Sequence, residues 1–296
     1  MFQKAERKQS KLRLAITGAS GSGKTTAALN IATGIGGRIA VLDTENGSAS
    51  LYADQFDFDV VNLVAPYTPE RFIEVITTAE KAGYDILIID STTHEWSGKG
   101  GCLEINDSLA ASRFKGNTWS AWSETTPRHR AFIDAMLRAN MHIIATMRSK
   151  TETVQGEGKK IMKLGMKSEQ RDGVEYEFTT VLDLMHETHL ATATKDRTRL
   201  FAGQDPQRIN KDTGALLRDW LNSGKADKTI SPEQRDTLQD MMADAEIDVA
   251  TFCQKRGLES LLEVRESVFD ETVQALRQRI ANRKQAAAAV NDPEVH

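Results

Sequence analysis

The sequence predicts an α/β fold, in which a three-layer domain built on a mainly parallel sheet precedes a small helical domain. Three observations predict this arrangement. Over about the first 200 residues, short β-rich runs alternate with segments of helical periodicity, which is typical of a sheet covered by helices. The run Ile86–Ile89 is apolar at every position, as in a strand that is buried on both faces. After about residue 222 the strand pattern stops and helical patterns continue.

The predicted strands are short runs rich in β-branched and aliphatic residues, separated by polar or turn-forming segments. In chain order they are Leu12–Ile16, Arg38–Leu42, Val60–Val64, Ile86–Ile89, His142–Thr146, Val181–Met185 and Leu190–Thr194. Helical patterns fall between them, and this β-α alternation implies three layers.

The clearest helix is predicted over residues 69–82. Thr68 stands at the N-cap position, Pro69 at the first helical position and Gly83 just past the end. One apolar face recurs at helical spacing, at Phe72, Val75, Ile76 and Ala79. A second helix is predicted to begin near Pro127.

The C-terminal helical segment follows a polar stretch, NSGKADKT at 222–229, which we interpret as a linker. Ser231 and Gln234 form a predicted capping box at the start of the next helix. Further helices are expected over about 248–256 and 265–283. The predicted division is a main α/β domain over 1–222, a linker over 223–229, a helical domain over 230–284 and a disordered tail over 285–296.

Composition excludes several classes of protein. Of 296 residues, 40% are hydrophobic and 27% are charged, which excludes a collagen, a mucin and a wholly disordered chain. No run approaches the roughly 18 apolar residues that span a bilayer, and the N-terminus has no apolar signal core. Cys102 and Cys253 match no zinc spacing. We therefore expect a cytoplasmic protein with reduced thiols and no membrane partner.

The segment Gly18–Thr25, GASGSGKT, fits the phosphate-loop pattern GxxxxGK[ST] between a predicted strand and a predicted helix. Glycines let backbone N–H groups point at phosphates, and the helix N-terminus adds positive potential. Lys24 is expected to reach the β- and γ-phosphates, and the Thr25 hydroxyl to ligate Mg²⁺. The predicted nucleotide contacts are Gly18, Ala19, Ser20, Gly21, Ser22, Gly23, Lys24, Thr25 and Thr26.

Asp90 ends the apolar strand Ile86–Ile89, which is where a Walker B aspartate stands. A carboxylate at that strand end can lie next to the metal. The sequence therefore predicts an ATP- and Mg²⁺-dependent site that includes Lys24, Thr25 and Asp90. Because residue 91 is serine, the catalytic base must come from elsewhere in the chain.

The segment 42–53, LDTENGSASLYA, resembles RecA-type recombinases, in which a glutamate at this strand end orients the attacking water. The resemblance implies that Glu45 is the catalytic residue, with an exposed loop acid as the alternative interpretation and Glu95 as the reserve candidate. It places Thr146 at the position of a γ-phosphate sensor, where glutamine is usual. Since threonine is shorter, a strand-end threonine without a role stays the alternative.

The pair Lys195 and Arg197 follows the last predicted strand, and residues i and i+2 of an extended chain point to the same side. RecA-like filaments use a basic pair with this spacing to reach the ATP of a neighbouring subunit. The resemblance therefore implies that Lys195 and Arg197 act in trans, as an arginine finger does. A solvated charge run is the alternative interpretation.

Residues 148–171 carry seven basic and three acidic residues, a local net charge of +4. Their middle, 154–161, predicts a hairpin turned by glycine. In RecA-like proteins the loop at this position binds single-stranded DNA, and lysines there neutralise phosphates without sequence readout. The implied DNA contacts are Arg148, Lys150, Lys159, Lys160, Lys163, Lys167 and Arg171. A solvated hairpin is the alternative.

Three tryptophans, Trp96, Trp119 and Trp122, follow the Walker B strand closely. RecA-like proteins carry their first DNA loop in this region, and aromatic side chains beside cations suit base stacking. Core packing is the favoured interpretation for Trp122, and both interpretations stay open for the other two.

Together, GASGSGKT, LDTENGSA, IIDSTTHEW, HIIATMRSK and TKDRTRLF resemble the phage RecA-like ATPases associated with single-strand annealing, the Sak-four type, over about residues 12–202. The resemblance implies a RecA-like core that hydrolyses ATP slowly, is stimulated by single-stranded DNA and forms a homo-oligomer, either ring or filament. It also implies the cytoplasm of a bacterial host. As a separate expectation, the C-terminal domain binds a single-strand-binding protein. A P-loop small-molecule kinase and a nucleotide-gated interaction module that recruits replication proteins are the alternatives.

The formal net charge of −4 does not exclude a DNA partner. Residues 225–296 hold 10 basic and 14 acidic residues and account for the whole excess. The preceding part of the chain is neutral, so the 148–171 segment is a concentrated basic strip within it.

Overall fold

The computed structural model describes residues 4–155, 161–225 and 228–290. They divide into two compact units. One is Ser10–Ser223, and the other holds the described residues before Ser10 and after Ser223. None of the helices in these ranges is long and apolar enough to cross a membrane.

The larger unit alternates strands and helices, as the sequence predicts. In chain order its elements are β1 (Arg13–Gly18), α1 (Lys24–Ile35), β2 (Ile39–Asp43), β3 (Asp59–Asn62), α2 (Pro69–Lys81), β4 (Ile86–Asp90), α3 (Thr93–Ser97), α4 (Cys102–Arg113), α5 (Thr118–Arg138), β5 (His142–Gln155), β6 (Ile161–Ser168), β7 (Thr180–Leu184), β8 (Leu190–Asp196), β9 (Gln207–Arg208) and α6 (Lys211–Asn222).

Across the described residues, nine strands form one sheet in the order β3-β2-β4-β5-β1-β7-β8-β9, with β6 paired to β5. In this order, β3, β2, β4, β5, β1 and β7 pair in parallel with one another. By contrast, β8 pairs antiparallel with β7, β9 with β8, and β6 with β5. The predicted α/β fold with a mainly parallel sheet is confirmed. Parallel strands bring their carboxyl ends to one edge of the sheet, and this edge carries the candidate site.

Two hydrophobic clusters cover the two faces of the sheet. Along β4, Ile86 and Ile88 belong to one cluster, while Leu87 and Ile89 belong to the other. This period of two is the pleat of a strand buried on both sides. The first cluster includes residues of α1 and α6, and the second includes residues of α2 and α5.

Helices α1 and α6 approach each other through two glycines. A Cβ on Gly34 would lie 1.9 Å from the Lys211 carbonyl oxygen, and one on Gly214 would lie 2.2 Å from that of Ile31. Because both obstacles are backbone atoms, no side-chain movement would make room for a larger residue. The two glycines therefore set how closely α6 packs on α1.

The helix that the sequence predicts to begin near Pro127 begins earlier. Helix α5 starts at Thr118 and contains Pro127 in its interior. Asn117 caps it by accepting a hydrogen bond from Ser120 N at 3.0 Å. The prediction of this boundary was wrong because a good N-cap ten residues upstream outweighs the hydrogen bond that a proline removes.

A buried arginine fixes the C-terminal end of α5 beside the sheet. The Arg13 guanidinium donates to the carbonyl oxygens of Leu137, Ala139 and Met141 at 2.9, 2.5 and 2.8 Å. Burial lowers the pKa of Arg13 to about 10. The group stays charged at neutral pH and satisfies one carbonyl of the last turn of α5, that of Leu137, and those of two residues that follow the helix, Ala139 and Met141.

The predicted hairpin after the fifth strand is confirmed in its two arms. β5 continues well past Thr146 and pairs with β6, with Ser149 opposite Ser168 and Gln155 opposite Ile161. The first half of β5 therefore lies inside the sheet, and the second half projects from the sheet's carboxyl edge as one arm of the hairpin.

The smaller unit contains three helices within the described residues, namely α7 (Pro232–Asp244), α8 (Val249–Gln254) and α9 (Phe269–Val290). The predicted capping box is confirmed, since Gln234 N donates to Ser231 Oγ and Ser231 N donates to Gln234 Oε1. Leu238, Met242 and Leu276 belong to its core. Helix α9 runs seven residues past position 283 because the segment QAAAA is rich in strong helix formers. Residues 291–296 of the predicted tail lie outside the described residues.

Candidate active site

The loop between β1 and α1 has the backbone that a phosphate-binding loop requires. Gly18 enters it with φ of 153°, and a Cβ there would lie 2.5 Å from Ser22 Oγ and 2.9 Å from Leu184 O. Gly23 stands at the N-cap of α1, so no side chain caps the first N–H groups of that helix. These N–H groups favour an anion. The predicted contacts at 18–23 lie in this loop, and those at 24–26 lie in the first turn of α1.

Two polar groups in the loop fit a phosphate. Ser22 Oγ is buried and has no hydrogen-bond partner within the described part of the chain. The Lys24 ammonium donates to the carbonyl oxygens of Gly18 and Ala19 at 3.0 and 2.7 Å. Burial lowers the pKa of Lys24, and the nearby carboxylate of Asp90 opposes that effect. A desolvated ammonium beside an unsatisfied hydroxyl and helix N–H groups suits an oxyanion.

Asp90 is held by two threonines at the end of β4. Thr25 Oγ1 donates to Asp90 Oδ2 at 2.5 Å, and Thr146 Oγ1 donates to Asp90 Oδ1 at 2.6 Å. Burial raises the pKa of Asp90, and the two hydroxyl donors oppose the rise. The two residues predicted to bind the metal, Thr25 and Asp90, therefore touch. A hydroxyl and a carboxylate are oxygen donors of the kind that Mg²⁺ takes in P-loop proteins.

Thr146 is fully buried in β5, and its hydroxyl and carbonyl groups are both engaged. Its hydroxyl binds Asp90, and its carbonyl oxygen accepts from Thr92 N at 3.0 Å and from Thr92 Oγ1 at 3.1 Å. The sequence places Thr146 at a phosphate-sensing position. The contacts instead indicate that it orients the carboxylate of Asp90.

Glu45, the predicted catalytic residue, follows β2 and is held by an arginine. Arg148 Nε donates to Glu45 Oε1 at 2.9 Å, and Arg148 Nη2 donates to Glu45 Oε2. Ser91 Oγ donates to Glu45 Oε1 at 3.3 Å. The backbone N–H of Glu45 donates to Asp43 Oδ1 at 2.6 Å, which fixes the turn that carries Glu45. The carboxylate thus has a defined position at the carboxyl edge of the sheet.

The contact of Arg148 differs from the sequence prediction, which groups this arginine with the DNA-binding cations. Arg148 lies opposite Gly18 in the register of β5 with β1. Its backbone therefore lies beside the start of the phosphate loop, and its side chain extends to Glu45. Charge pattern alone groups Arg148 with the lysines of the hairpin, whereas the strand register assigns it to the nucleotide site.

The reserve candidate, Glu95, is engaged elsewhere. Its carboxylate is fully buried and lies 3.1 Å from His129 Nδ1 and 3.1 Å from Cys102 Sγ. Gln170 Nε2 lies 3.5 Å from its second oxygen. The Glu95 carboxylate is thus enclosed by these groups, whereas that of Glu45 lies at the carboxyl edge of the sheet, beside Arg148.

Sequence reasoning missed two contacts of the turn between β7 and β8 with the phosphate loop. His189 Nδ1 lies 3.0 Å from Ser22 O. His186 Cε1 lies 3.3 Å from the position that a Cβ on Gly21 would take. The sequence shows these histidines only as flanking a turn. The strand order was the missing signal, because β7 lies next to β1 and its end must lie beside the loop.

A series of linked hydrogen bonds also supports the end of β2. Thr44 Oγ1 lies 2.6 Å from His94 Nδ1, and Ser91 N donates to Thr44 Oγ1 at 2.8 Å. The His94 ring stacks on Tyr67 with centroids 4.9 Å apart. Burial lowers the pKa of His94. These hydrogen bonds join the residues after β2 to those after β4, next to Glu45.

The basic pair after β8 lies together against one backbone segment. Lys195 Nζ donates to Glu175 O at 3.1 Å and to Tyr176 O. Arg197 Nη2 donates to Tyr176 O at 3.4 Å. Burial lowers the pKa of Lys195, with the charge of Arg197 adding to the effect. The two cations are therefore neighbours, and within this chain they bind carbonyl oxygens.

Of the cations predicted to contact DNA, Lys150 lies on β5, Lys167 lies on β6 and Arg171 follows β6. Lys150 Nζ is 3.9 Å from Glu169 Oε1, and Lys167 Nζ is 2.8 Å from Asp172 Oδ1. The Arg171 guanidinium lies over the Trp122 ring at 5.9 Å. Lys159 and Lys160 lie outside the described residues. Lys163 lies on β6 opposite Thr153, and its side chain lies outside the described part of the chain.

The three tryptophans after β4 separate into two environments. Trp96 and Trp122 stack with centroids 5.6 Å apart and planes at 18°. Trp96 also meets the His129 ring edge-on at 5.3 Å. Trp119 is 86% exposed at the start of α5. Packing therefore accounts for Trp96 and Trp122, and Trp119 presents its indole to solvent.

Comparison with known proteins agrees with this geometry. Residues 10–214, from just before β1 into α6, match a family model described as an AAA domain. No curated protein matches the sequence. The match covers more than half of the chain and contains the phosphate loop, Asp90 and Glu45. A nucleotide-binding function follows from this domain. The chain therefore belongs to the AAA domain family of P-loop ATPases.

Proposed function

We propose that this protein is an ATP- and Mg²⁺-dependent, RecA-like ATPase that binds single-stranded DNA and promotes annealing or recombination in phage DNA metabolism. The observation that carries the proposal is the position of Arg148. This residue holds Glu45 at the nucleotide site, and it directly precedes the projecting β5–β6 hairpin. One short segment thus joins the hydrolytic residue to the basic strip, which supports coupling between DNA binding and hydrolysis.

Each residue of the site has a distinct role in this proposal. Nucleotide with Mg²⁺, when bound, supplies the scissile phosphate and a cation that neutralises developing charge. Lys24 and the N–H groups of the phosphate loop hold the phosphates. Thr25 and Asp90 hold the metal, and Thr146 fixes Asp90. Glu45 orients the attacking water, and Arg148 sets the position of the Glu45 carboxylate.

The basic strip and an exposed aromatic side chain support single-stranded DNA as the polymer. Lys150 is 67% exposed despite its acidic neighbour, so its charge is accessible to phosphate. Trp119 offers an exposed indole of the kind on which bases stack. Phosphate neutralisation and stacking give affinity without sequence specificity, which suits annealing of any complementary pair of strands.

We further propose a homo-oligomer, in the form of a ring or filament, in which Lys195 and Arg197 reach the nucleotide of the neighbouring subunit. Their proximity to each other supports a shared target. The excess of acidic residues after position 225 supports a protein partner for the C-terminal helices, such as a single-strand-binding protein.

Salt-dependent DNA binding tests the proposal. The affinity of the full chain for a labelled oligonucleotide is measured with ATP and Mg²⁺ over a range of salt concentrations. A variant with Lys159, Lys160 and Lys163 each changed to Glu should bind more weakly, and its slope of log affinity against log salt should flatten by about 2, at about 0.7 per phosphate contact for single strands. A control with Lys81, Lys99 and Lys255 changed to Glu has the same total charge and should keep the slope.

An equal slope in the two triple variants would show that the hairpin does not contact DNA. The kinase alternative makes a different prediction in the same preparation. If a nucleoside or another small acceptor, rather than DNA, increased the formation of ADP, the protein would be a small-molecule kinase. Loss of ADP formation in K24A assigns the activity to this phosphate loop in either case.

A further inference from the structure

Three metal-ligating side chains meet in the interior of the larger unit, apart from the residues assigned to the nucleotide site. They are a carboxylate, a thiol and an imidazole, from Glu95 on α3, Cys102 on α4 and His129 on α5. Glu95 and Cys102 are fully buried, and His129 is 3% exposed. One potential ligand atom from each residue lies within 4.8 Å of the others. Side chains of this kind converge in protein interiors when they bind a metal or form a hydrogen-bonded network.

The contacts within the cluster are short enough for either explanation. Glu95 Oε1 lies 3.1 Å from Cys102 Sγ and 3.1 Å from His129 Nδ1, and Glu95 Oε2 lies 3.2 Å from the same nitrogen. Within the described residues, the ion-pair partner of Glu95 is His129. The remaining polar neighbour is the Gln170 amide, at 3.5 Å from Oε2. The carboxylate is thus fully removed from water and meets only groups that are neutral or weakly basic.

Charge balance favours a cation in this cluster. A buried carboxylate needs a compensating charge. A divalent cation bound at this cluster supplies it, because it displaces the thiol proton of Cys102 and balances the thiolate and the carboxylate together.

The donor set identifies the cation. Thiolate, imidazole and carboxylate are the three side-chain ligands of Zn²⁺. Mg²⁺ and Ca²⁺ take oxygen ligands, so a site with sulfur and nitrogen donors excludes the metal expected at Thr25 and Asp90. Gln170 Nε2 also donates to Thr92 O at 3.0 Å, which holds it as an outer partner of the Glu95 carboxylate.

We propose that Glu95, Cys102 and His129 bind a Zn²⁺ ion. The ion joins α3, α4 and α5, which follow one another directly after Asp90 in the chain. It is separate from the Mg²⁺ of the nucleotide site and needs neither nucleotide nor DNA. The site departs from the sequence analysis, in which Cys102 matches no zinc spacing, because its three ligands come from three helices rather than from a compact motif.

Metal content tests the proposal directly. The full chain is equilibrated with Zn²⁺, dialysed and analysed for zinc by mass spectrometry without nucleotide or DNA. We expect about one zinc ion per chain, and a loss of at least about tenfold in C102S and H129Q. The control C253S removes the other buried cysteine, which lies in the smaller unit, and should keep its zinc.

Cobalt substitution provides a second measurement that needs no ligand variant to fold. Co²⁺ added to the native chain should give a thiolate-to-cobalt charge-transfer absorption that Zn²⁺ removes. That absorption should persist in C253S. A folded native chain that retains no zinc and gives no such absorption would show that the three residues form a hydrogen-bonded network alone. Undiminished zinc in folded C102S and H129Q would also overturn the proposal.

Discussion

Arg148 and Glu45 form a bidentate ion pair that crosses the carboxyl end of the strand bearing Asp90. Glu45 follows β2, Arg148 belongs to β5, and β4 lies between these strands in the sheet. The parallel hydrogen bonds fix both the position and the plane of the carboxylate. A hairpin that begins one residue after Arg148 can therefore transmit its own movement to Glu45, the residue that we propose orients the attacking water.

The first prediction is that Arg148→Ala uncouples hydrolysis from DNA. Without the guanidinium, Glu45 loses the two hydrogen bonds that hold it to Arg148 on β5, so the ATPase rate should be the same with and without single-stranded DNA. Nucleotide binding should persist because the phosphate loop is unchanged. R148K keeps the charge but loses the bidentate geometry and should give intermediate coupling.

The matched control for this prediction is Arg113→Ala, which removes a different Arg–Glu pair, the exposed one with Glu124. It should keep the stimulation of the native protein. Full DNA stimulation in R148A would show that the ion pair does not transmit DNA binding to the site.

The second prediction concerns the hydroxyl that holds Asp90. Thr146→Val keeps the shape of the side chain but removes the hydrogen bond to Asp90 Oδ1. The Mg²⁺ concentration for half-maximal ATPase should rise about 10- to 100-fold, as for other partners of metal-binding carboxylates. Thr33→Val, whose hydroxyl binds Leu29 O within α1, is the control. An unchanged Mg²⁺ requirement in T146V would contradict a role of Thr146 in holding Asp90 and would favour a role as phosphate sensor.

The third prediction is a pH dependence of stability that originates at His142. Its Nδ1 accepts from Leu12 N at 3.0 Å, and burial lowers its pKa from 6.5 to about 4. Between pH 4 and pH 6.5 the unfolded chain binds a proton at His142 that the native protein does not. The contribution of His142 to the free energy of unfolding is therefore complete above pH 6.5 and is lost as the pH falls toward 4. At 1.36 kcal/mol per pH unit, the loss is about 3 kcal/mol.

His142→Asn keeps a hydrogen-bond acceptor without the titration, and urea unfolding at several pH values measures the effect. The variant should lose less stability than the native protein between pH 6.5 and pH 4. H186N, in which an exposed histidine is replaced, should follow the native curve. Parallel curves for H142N and the native protein would show that His142 is not the source of the pH dependence of stability.

The fourth prediction concerns the contact of α1 with α6. Gly34→Ala should destabilise the protein by about 3 kcal/mol, because the added Cβ meets a carbonyl oxygen that cannot move independently of α6. Urea denaturation measures the change. Leu216→Ala truncates an exposed side chain on α6 and should change stability by much less. Equal stability of G34A and the native protein would show that the helices separate easily.

Local sequence patterns are sufficient to predict most of the fold. The strands lie within a few residues of their predicted positions because each carries a continuous β-rich run between polar segments. The phosphate loop and the Ser231 capping box are recognisable because all their interacting residues lie close together in the chain. The start of α5 was wrong because Pro127 is a strong local signal that a better N-cap at Asn117 overrides.

Contacts made by distant segments account for what the sequence analysis missed. The pairing of Arg148 with Glu45 depends on the order of strands in the sheet, which periodicity does not encode. The approach of His189 to the phosphate loop depends on the adjacency of β7 and β1. The cluster of Glu95, Cys102 and His129 is assembled by the packing of three helices, so no spacing in the sequence predicts it.

The central claim is that this site hydrolyses ATP and that DNA controls the rate, and one measurement tests it most directly. ATP hydrolysis by the full chain is followed with Mg²⁺, with and without single-stranded DNA, beside K24A and E45Q. The account predicts slow hydrolysis that DNA accelerates, none in K24A, and a loss of at least about 100-fold in E45Q with ATP binding retained. Hydrolysis in K24A at the native rate, or a native rate that single-stranded DNA leaves unchanged, would contradict it.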